Sequence, residues 1–125
     1  MTSYEKPMSE MREEKETKMR QEIEVFNELD ENQNPIGGRV VGLGINIQWQ
    51  NGPLSYPDGE RREPNGAFVE SVIQAAISRL CFYQDTKFKC RENALAITKL
   101  EEALHWLEHR TAGRVKRGVE GSHKV

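Results

Sequence analysis

Apolar residues recur at helical spacing along most of the second half of the chain. Two stripes, within residues 67–84 and 88–111, place apolar side chains three and four positions apart, which predicts two amphipathic helices. Their members are Phe68, Val72, Ile73, Ala76, Ile77, Leu80 and Cys81 in the first stripe, and Ala96, Ile97, Leu100, Ala103, Leu104 and Leu107 in the second. Asn65 is the expected N-cap of the first helix, and Gly113 is the expected end of the second, with residues 114–117 able to continue it by one turn. Because only a short polar break separates the stripes, the helices should form an antiparallel hairpin.

The first half of the chain predicts a strand and a short helix. Residues 41–49 alternate strictly between apolar side chains and small or polar ones, which is typical of a strand. A short helix over residues 19–29 is predicted from four apolar residues at spacings of four and three: Met19, Ile23, Phe26 and Leu29. The turn-forming cluster at residues 30–38 should end this helix. Residues 50–53 are predicted to form a turn and residues 54–66 an ordered loop, with a short second strand near residues 54–56.

The composition leaves room for only a small hydrophobic core. Leu, Ile, Val and Phe number 27 of the 125 residues, about 22%, which is close to the roughly 20% below which chains are usually disordered. One hairpin and one or two strands form too few layers to enclose a core. We therefore predict an α+β fold, an antiparallel helical hairpin with a small N-terminal β-sheet, that assembles into dimers and higher oligomers.

The sequence predicts neither a membrane span nor a secretory signal. The chain has no run of 18 apolar residues, and its first 15 residues contain no apolar stretch. Its two cysteines, Cys81 and Cys90, do not form a CxxC pair, which fits a reduced cytoplasm better than a disulfide-stabilised secreted domain. We therefore expect a cytoplasmic protein without a membrane partner.

Charge is distributed unevenly along the chain. Residues 1–34 carry ten acidic and five basic side chains, a net charge of −5, whereas residues 76–125 carry ten basic and six acidic ones, a net charge of +4. The chain is therefore predicted to divide into an acidic, polar N-terminal extension (residues 1–38, partly helical or disordered) and a strand, loop and hairpin domain (residues 39–125). The overall net charge of −2 argues against a nucleic-acid polymer as partner.

The basic end of the chain contains a candidate anion site. Arg110, Arg114 and Arg117 share one side of the last predicted helix, because spacings of four and three bring residues together on a helix. The planar guanidinium group offers a fork of donors that suits phosphate. The alternative is that these arginines pair with acids such as Glu108 and Glu120, or are simply solvated.

Three further residues near the connection between the helices are candidates for ligand binding. Phe82 and Tyr83 are adjacent and diverge by ~100°, so they cannot both face the core, and the spare ring is a platform for a nucleobase. Asn93 is a polar amide on the apolar face of the second helix, where it can read the edge of a base. The alternatives are a half-exposed aromatic ring and a structural hydrogen bond from Asn93 to the backbone.

The sequence does not indicate a catalytic site. His105 and His109 have the spacing of zinc ligands on a helix, but no third ligand is obvious, so no metal site is expected. Residues 42–47 lack the last glycine of a dinucleotide-binding fingerprint, and no P-loop lysine follows them. We therefore expect a binding protein rather than an enzyme, with no cofactor.

Residues 90–123, together with Gln50–Pro53 and Asn65–Gly66, resemble the phage Thoeris anti-defence protein family, first type, whose hairpin domain is shared with an anti-CBASS cyclic-nucleotide sponge. The resemblance covers roughly residues 45–125 and leaves residues 1–38 outside. It implies a protein that sequesters, without cleaving, the cyclic ADP-ribose isomers (glycocyclic ADP-ribose) made by bacterial TIR-domain enzymes, and so blocks Thoeris signalling in the cytoplasm of the infected host. It also implies that some members hold the cyclic di- or trinucleotides of CBASS in a separate pocket.

The resemblance further implies an assembly and a set of site residues. Family members form dimers of hairpins, often as hexameric trimers of dimers. Their ligand is held by an aromatic residue before the inter-helix connection, an asparagine early in the second helix and arginines after it, which match Tyr83 or Phe82, Asn93, Arg110 and Arg114. Tyr83 is favoured as the stacking ring because it precedes a glutamine, as the aromatic residue does in relatives. A hydrolase of such nucleotides and a structural or DNA-binding hairpin remain the alternative functions.

Overall fold

The computed structural model describes residues 19–125, which form a three-stranded antiparallel sheet followed by two helices. The elements are β1 (Ile23–Leu29), β2 (Pro35–Gly42), β3 (Ile45–Gln48), α1 (Val69–Gln84) and α2 (Arg91–Arg117). The strands lie in chain order across the sheet. The predicted α+β fold, a helical hairpin with a small N-terminal sheet, is confirmed. The disorder predicted for the start of the chain falls on residues that lie outside the described range.

The helix predicted over residues 19–29 is wrong, because residues 23–29 form strand β1. This strand pairs antiparallel with β2, from Ile23 opposite Gly42 to Leu29 opposite Pro35, and its register is irregular between Asn27 and Leu29. Its β-branched residues favour a strand once a partner strand supplies backbone hydrogen bonds. Pairing with a distant segment therefore outweighs the local spacing that suggested a helix.

The turn between β1 and β2 is shorter than the predicted turn-forming cluster at residues 30–38, because β2 already begins at Pro35. The Asp30 carboxylate organises this turn, since its Oδ1 accepts hydrogen bonds from the backbone N–H groups of Asn32 (2.8 Å) and Asn34 (2.9 Å). The backbone bond from Asn34 is the main cause that lowers the pKa of Asp30. The predicted division between residues 38 and 39 falls within β2.

The single strand predicted over residues 41–49 is in fact divided by a tight turn between β2 and β3. Leu43 and Gly44 form this turn, because Gly42 lies opposite Ile45 in the ladder. Gly44 has a φ of 75°, a left-handed conformation that glycine adopts readily. The alternation of apolar and polar residues continues through the turn and therefore conceals it from a sequence-based prediction.

The sheet has one apolar and one mainly polar face, because residues opposite each other in an antiparallel pair share a face. The face that we call the apolar sheet face carries Ile23, Val25, Val40, Ile45 and Ile47. The other face carries Glu24, Phe26, Arg39, Val41, Asn46 and Gln48. The apolar sheet face is only partly covered within one chain, with Val25 54% exposed. A small sheet needs this face covered to be stable in water.

The loop between the sheet and the hairpin is held by amide side chains. The Asn51 N–H donates to Asn65 Oδ1 (2.9 Å), and Asn65 Nδ2 donates in return to the Asn51 carbonyl (2.9 Å). The Asn65 N–H also donates to Gln50 Oε1 (2.8 Å). The prediction of Asn65 as the N-cap of α1 is therefore wrong. The N-cap position is Phe68, whose side chain makes no capping bond.

Gly66 lets this loop approach the end of the sheet closely. A Cβ atom at this position would lie 2.5 Å from the Trp49 carbonyl oxygen and 2.7 Å from that of Gln48, and both are backbone atoms. We therefore expect Gly66→Ala to lower the free energy of unfolding by ~1–3 kcal/mol, the usual cost of overpacking. Urea unfolding followed by circular dichroism, at a fixed protein concentration, measures this change.

Gly113→Ala is the matched control for Gly66→Ala. Gly113 lies inside α2, and apart from its chain neighbours and the backbone of its own helix no heavy atom comes within 4 Å of a Cβ built there. This replacement should raise the free energy of unfolding by about 1 kcal/mol, because alanine has a higher helix propensity than glycine. Equal stability of Gly66→Ala and the unsubstituted protein would contradict the close approach of the loop to the sheet.

The two helices pack against each other and cover only part of the predicted stripes, since Cys81 is exposed. Ile77 of α1 is the one buried apolar side chain in residues 19–125, with 7% exposure. Helix α2 does not end at Gly113 but runs to Arg117, so the additional turn allowed for residues 114–117 is confirmed. Since α1 has 16 residues and α2 has 27, α2 extends ~16 Å beyond α1 at its C-terminal end. Within residues 19–125, neither helix is both long and apolar enough to cross a membrane.

Candidate functional site

The tip of the hairpin, where α1 connects to α2, is tied together by side-chain hydrogen bonds. Gln84 Nε2 donates to the Cys90 carbonyl (3.0 Å), and the Cys90 N–H donates to Gln84 Oε1 (3.0 Å). The Thr86 hydroxyl donates to the Tyr83 carbonyl (2.6 Å). The connection between the helices therefore holds the end of α1 and the start of α2 in a defined arrangement.

Both predicted aromatic residues lie exposed at this tip. Phe82 is 53% exposed and Tyr83 is 37% exposed. Their ring centroids are 6.0 Å apart and the rings are tilted by 51°. Each ring therefore presents surface on which a planar base could stack.

The structure adds Arg79 to this aromatic pair, a residue that the sequence analysis did not single out. Arg79 Nε donates to the Tyr83 hydroxyl (3.2 Å), and the guanidinium carbon lies 5.0 Å from the centroid of each aromatic ring. The signal in the sequence was the spacing, because Arg79 precedes Phe82 and Tyr83 by three and four positions and so lies on the same helical face.

Asn93 belongs to the same end of the molecule. It is the third residue of α2, and its backbone N–H donates to Cys90 Sγ (3.4 Å), the side-chain cap of this helix. Asn93 is half-buried. Its side-chain amide makes no hydrogen bond to any other residue in the range 19–125, so the structural bond considered for it is not formed there. We call Phe82, Tyr83 and Asn93 the tip cluster.

The three predicted arginines lie at the other end of α2 and differ in their contacts. Arg114 Nη2 donates to the carbonyls of Val119 (2.9 Å) and Ser122 (3.0 Å). Arg117 Nη1 donates to the Val125 carbonyl (2.9 Å). Arg110 is exposed and makes no hydrogen bond or ion pair within the described part of the chain. We call Arg110, Arg114 and Arg117 the basic end. Arg110 has the donors most available to a ligand.

The segment that follows α2 is fastened to the loop before the hairpin. The Gly121 carbonyl accepts hydrogen bonds from the backbone N–H groups of Leu54 (2.6 Å) and Ser55 (2.8 Å). Glu120 forms an ion pair with Arg61 (2.9 Å), and the hydrogen bond between these side chains raises the pKa of Arg61. Glu120 is therefore not a partner of the basic end. The strand predicted near residues 54–56 is one antiparallel bridge, between Ser55 and Arg61.

One chain does not bring the tip cluster and the basic end together. Asn93 and Arg110 are 17 positions apart in the same helix, which corresponds to ~25 Å at 1.5 Å per residue. Arg114 and Arg117 lie still farther along α2. The six predicted site residues therefore form two separate groups within a chain.

The histidines considered as zinc ligands flank an exposed tryptophan. The ring centroids of His105 and His109 lie 6.1 and 5.9 Å from that of Trp106, which is 66% exposed. Among residues 19–125, the structure contains no group of three or more His, Cys, Asp or Glu side chains with the geometry to hold a metal ion. The two histidines therefore contact an exposed aromatic ring rather than a metal-ligating group.

Comparison with known families places the hairpin among related proteins. A family model described as "Acb2/Tad1, hairpin domain" matches residues 44–112. The chain belongs to this family. The family resemblance inferred from the sequence is thus confirmed. The matched region contains the hairpin tip with its cluster and Arg110, whereas β1, Arg114 and Arg117 lie outside it.

A curated relative extends this result. The chain is similar to a protein named "Thoeris anti-defense 1" from Bacillus phage SBSphiJ7, with 49% identity over 84 residues. The match covers 67% of this chain and 56% of the relative. The chain therefore spans little more than half the length of the curated relative that it matches.

Proposed function

We propose that this chain is a phage anti-defence protein that sequesters a cyclic ADP-ribose isomer (glycocyclic ADP-ribose) without degrading it. This isomer is the signal made by TIR-domain enzymes, so its binding would block Thoeris immunity in the cytoplasm of the infected host. The proposal includes a separate pocket for the cyclic di- or trinucleotides of CBASS. It is supported by the family, by the name of the relative and, above all, by the exposed aromatic pair at the hairpin tip.

The side chains of the tip cluster and of the basic end match the base, ribose and pyrophosphate of such a ligand. An exposed aromatic ring stacks on a purine, and the Asn93 amide has both a donor and an acceptor for a base or ribose edge. Arginine provides charge-assisted donors to a pyrophosphate.

Because the tip cluster and the basic end are far apart within one chain, we propose that the site is shared between two subunits. A nucleotide is much shorter than the ~25 Å from Asn93 to Arg110 along α2. In an antiparallel dimer, the tip cluster of one hairpin meets the basic end of its partner. A two-fold axis then generates two equivalent sites. We propose this dimer as the binding unit and a hexamer, a trimer of dimers, as the full assembly.

The surface of a single chain favours such an assembly. Ile23 and Val25 of the apolar sheet face are exposed, as is Trp106, and Ile77 is the one buried apolar residue of the described range. Contacts between copies would cover this apolar surface.

Recovery of the ligand tests sequestration against hydrolysis. The protein is incubated with a cyclic ADP-ribose isomer, passed over a desalting column, and heated to release what it has bound. We expect chromatography to recover the ligand chemically intact. Arg110→Ala, which removes the most available cation of the basic end, should carry much less ligand through the column.

The hydrolase and the DNA-binding hairpin predict different outcomes, the first in this experiment and the second in a separate assay of duplex binding. A cleaved product would identify a hydrolase. Failure of the unsubstituted protein to retain any cyclic nucleotide, combined with duplex DNA binding that falls steeply with salt, would instead support a DNA-binding hairpin.

A further inference from the structure

The strongest local feature that the predicted site does not include is the position of Arg79 beside two exposed aromatic rings. Its guanidinium carbon lies 5.0 Å from the ring centroids of both Phe82 and Tyr83. Its Nε donates to the Tyr83 hydroxyl at 3.2 Å. These contacts place the guanidinium over the two rings, although the side chain is exposed.

Arg79 keeps most of its hydrogen-bonding capacity. A guanidinium has five N–H donors, and the bond to Tyr83 uses the one on Nε. The two terminal nitrogens donate to no acceptor within residues 19–125. The ion pairs in that range join Arg61 to Glu120, Arg62 to Glu60, and Lys99 to Glu102. Arg79 therefore has no carboxylate partner there, unlike an arginine whose role is to form a surface ion pair.

We propose that Arg79 is a ligand-binding residue whose terminal nitrogens bind a phosphate of the nucleotide whose base stacks on the adjacent ring. This inference rests on the proposed function. A base on either ring places its sugar and phosphate close to the guanidinium, which lies over both rings. Each tip would then recognise both a base and an anion, and the partner's basic end would supply the second set of charges.

Single substitutions at Arg79 test whether ligand binding depends on its positive charge and on its planar geometry. Calorimetric titration with a cyclic ADP-ribose isomer should show that Arg79→Ala binds ~10–100-fold more weakly than the unsubstituted protein, the usual loss for a charge-assisted hydrogen bond. Arg79→Lys should have intermediate affinity, because an ammonium lacks the planar fork. Circular dichroism checks that each variant folds.

Arg91→Ala is the matched control. Arg91 is also an exposed arginine at the hairpin tip, but it makes no contact with an aromatic ring in the described structure. Its loss should weaken binding less than about fivefold, as expected for an exposed charge without fixed geometry. Equal losses in Arg79→Ala and Arg91→Ala would overturn the proposal, because the effect would then be general electrostatics.

A double substitution separates direct binding from an effect through the ring. If Arg79 merely holds Tyr83 in place, Arg79→Ala will cost nothing further in a Tyr83→Ala protein. Direct binding predicts that Arg79→Ala still weakens binding at least about fivefold in that background. The first result overturns the proposal and the second supports it.

The test also distinguishes this inference from the proposed function. If the unsubstituted protein binds a cyclic ADP-ribose isomer and Arg79→Ala binds it equally well, only the role of Arg79 is wrong. If the unsubstituted protein binds no cyclic nucleotide, the proposed function fails and the role of Arg79 fails with it.

Discussion

A cyclic ADP-ribose isomer at a thousandfold excess over its dissociation constant is expected to stabilise the folded protein by ~4 kcal/mol. The reason is linkage, because a ligand that binds only the folded, assembled protein shifts the unfolding equilibrium. For a protein of this size the gain corresponds to a rise in Tm of about ten degrees or more. Differential scanning calorimetry at fixed protein concentration, with the ligand concentration set from a measured Kd, checks this result.

Arg110→Ala provides the control for this stabilisation. The variant should have the Tm of the unsubstituted protein without ligand, because Arg110 makes no hydrogen bond or ion pair within residues 19–125. At the same ligand concentration it should lose ~1.5–3 kcal/mol of the stabilisation, the contribution of a charge-assisted contact to phosphate. Arg114→Ala is less informative, because Arg114 also donates hydrogen bonds to the carbonyls of Val119 and Ser122. Its loss would therefore also affect the Tm without ligand. The absence of any shift in Tm with cyclic ADP-ribose isomers or cyclic oligonucleotides would contradict the proposed function.

Mixed assemblies of two weakly binding variants are expected to regain sites with the full affinity. Tyr83→Ala damages the tip cluster and Arg110→Ala damages the basic end, so each variant alone has only weakened sites. In an antiparallel, two-fold dimer that contains one subunit of each kind, one of the two sites receives neither substitution. With random pairing, about a quarter of all sites should therefore bind ligand as tightly as in the unsubstituted protein. Calorimetry on the co-expressed proteins counts these sites.

A second mixture makes this experiment decisive. When the double variant Tyr83→Ala/Arg110→Ala is co-expressed with unsubstituted protein, a shared site again predicts about a quarter of intact sites. A site within one chain predicts none in the first mixture and about half in the second. Sedimentation gives the accompanying check, since a mass of 14.4 kDa, that of a single chain, would exclude a shared site at that concentration.

The candidate residues were identified from the sequence by their chemistry, but their arrangement was not. An adjacent aromatic pair, an asparagine on an apolar face and a stripe of arginines are visible without a structure. The ~25 Å between Asn93 and Arg110 follows only from the continuous α2 helix. The contact of Arg79 with both rings also required side-chain positions, although its spacing made the contact possible.

The helical hairpin was determined by the sequence itself, because helix periodicity is local and both apolar stripes extend over several turns. The sheet was decided by tertiary structure. Residues 19–29 have a helix-compatible spacing, yet β1 forms because β2 supplies its backbone partners. Residues 41–49 alternate like one strand, yet a turn at Leu43–Gly44 folds them into two. Strand pairing joins segments that are distant in the sequence, and an alternating pattern is equally compatible with a straight strand and with a tight hairpin.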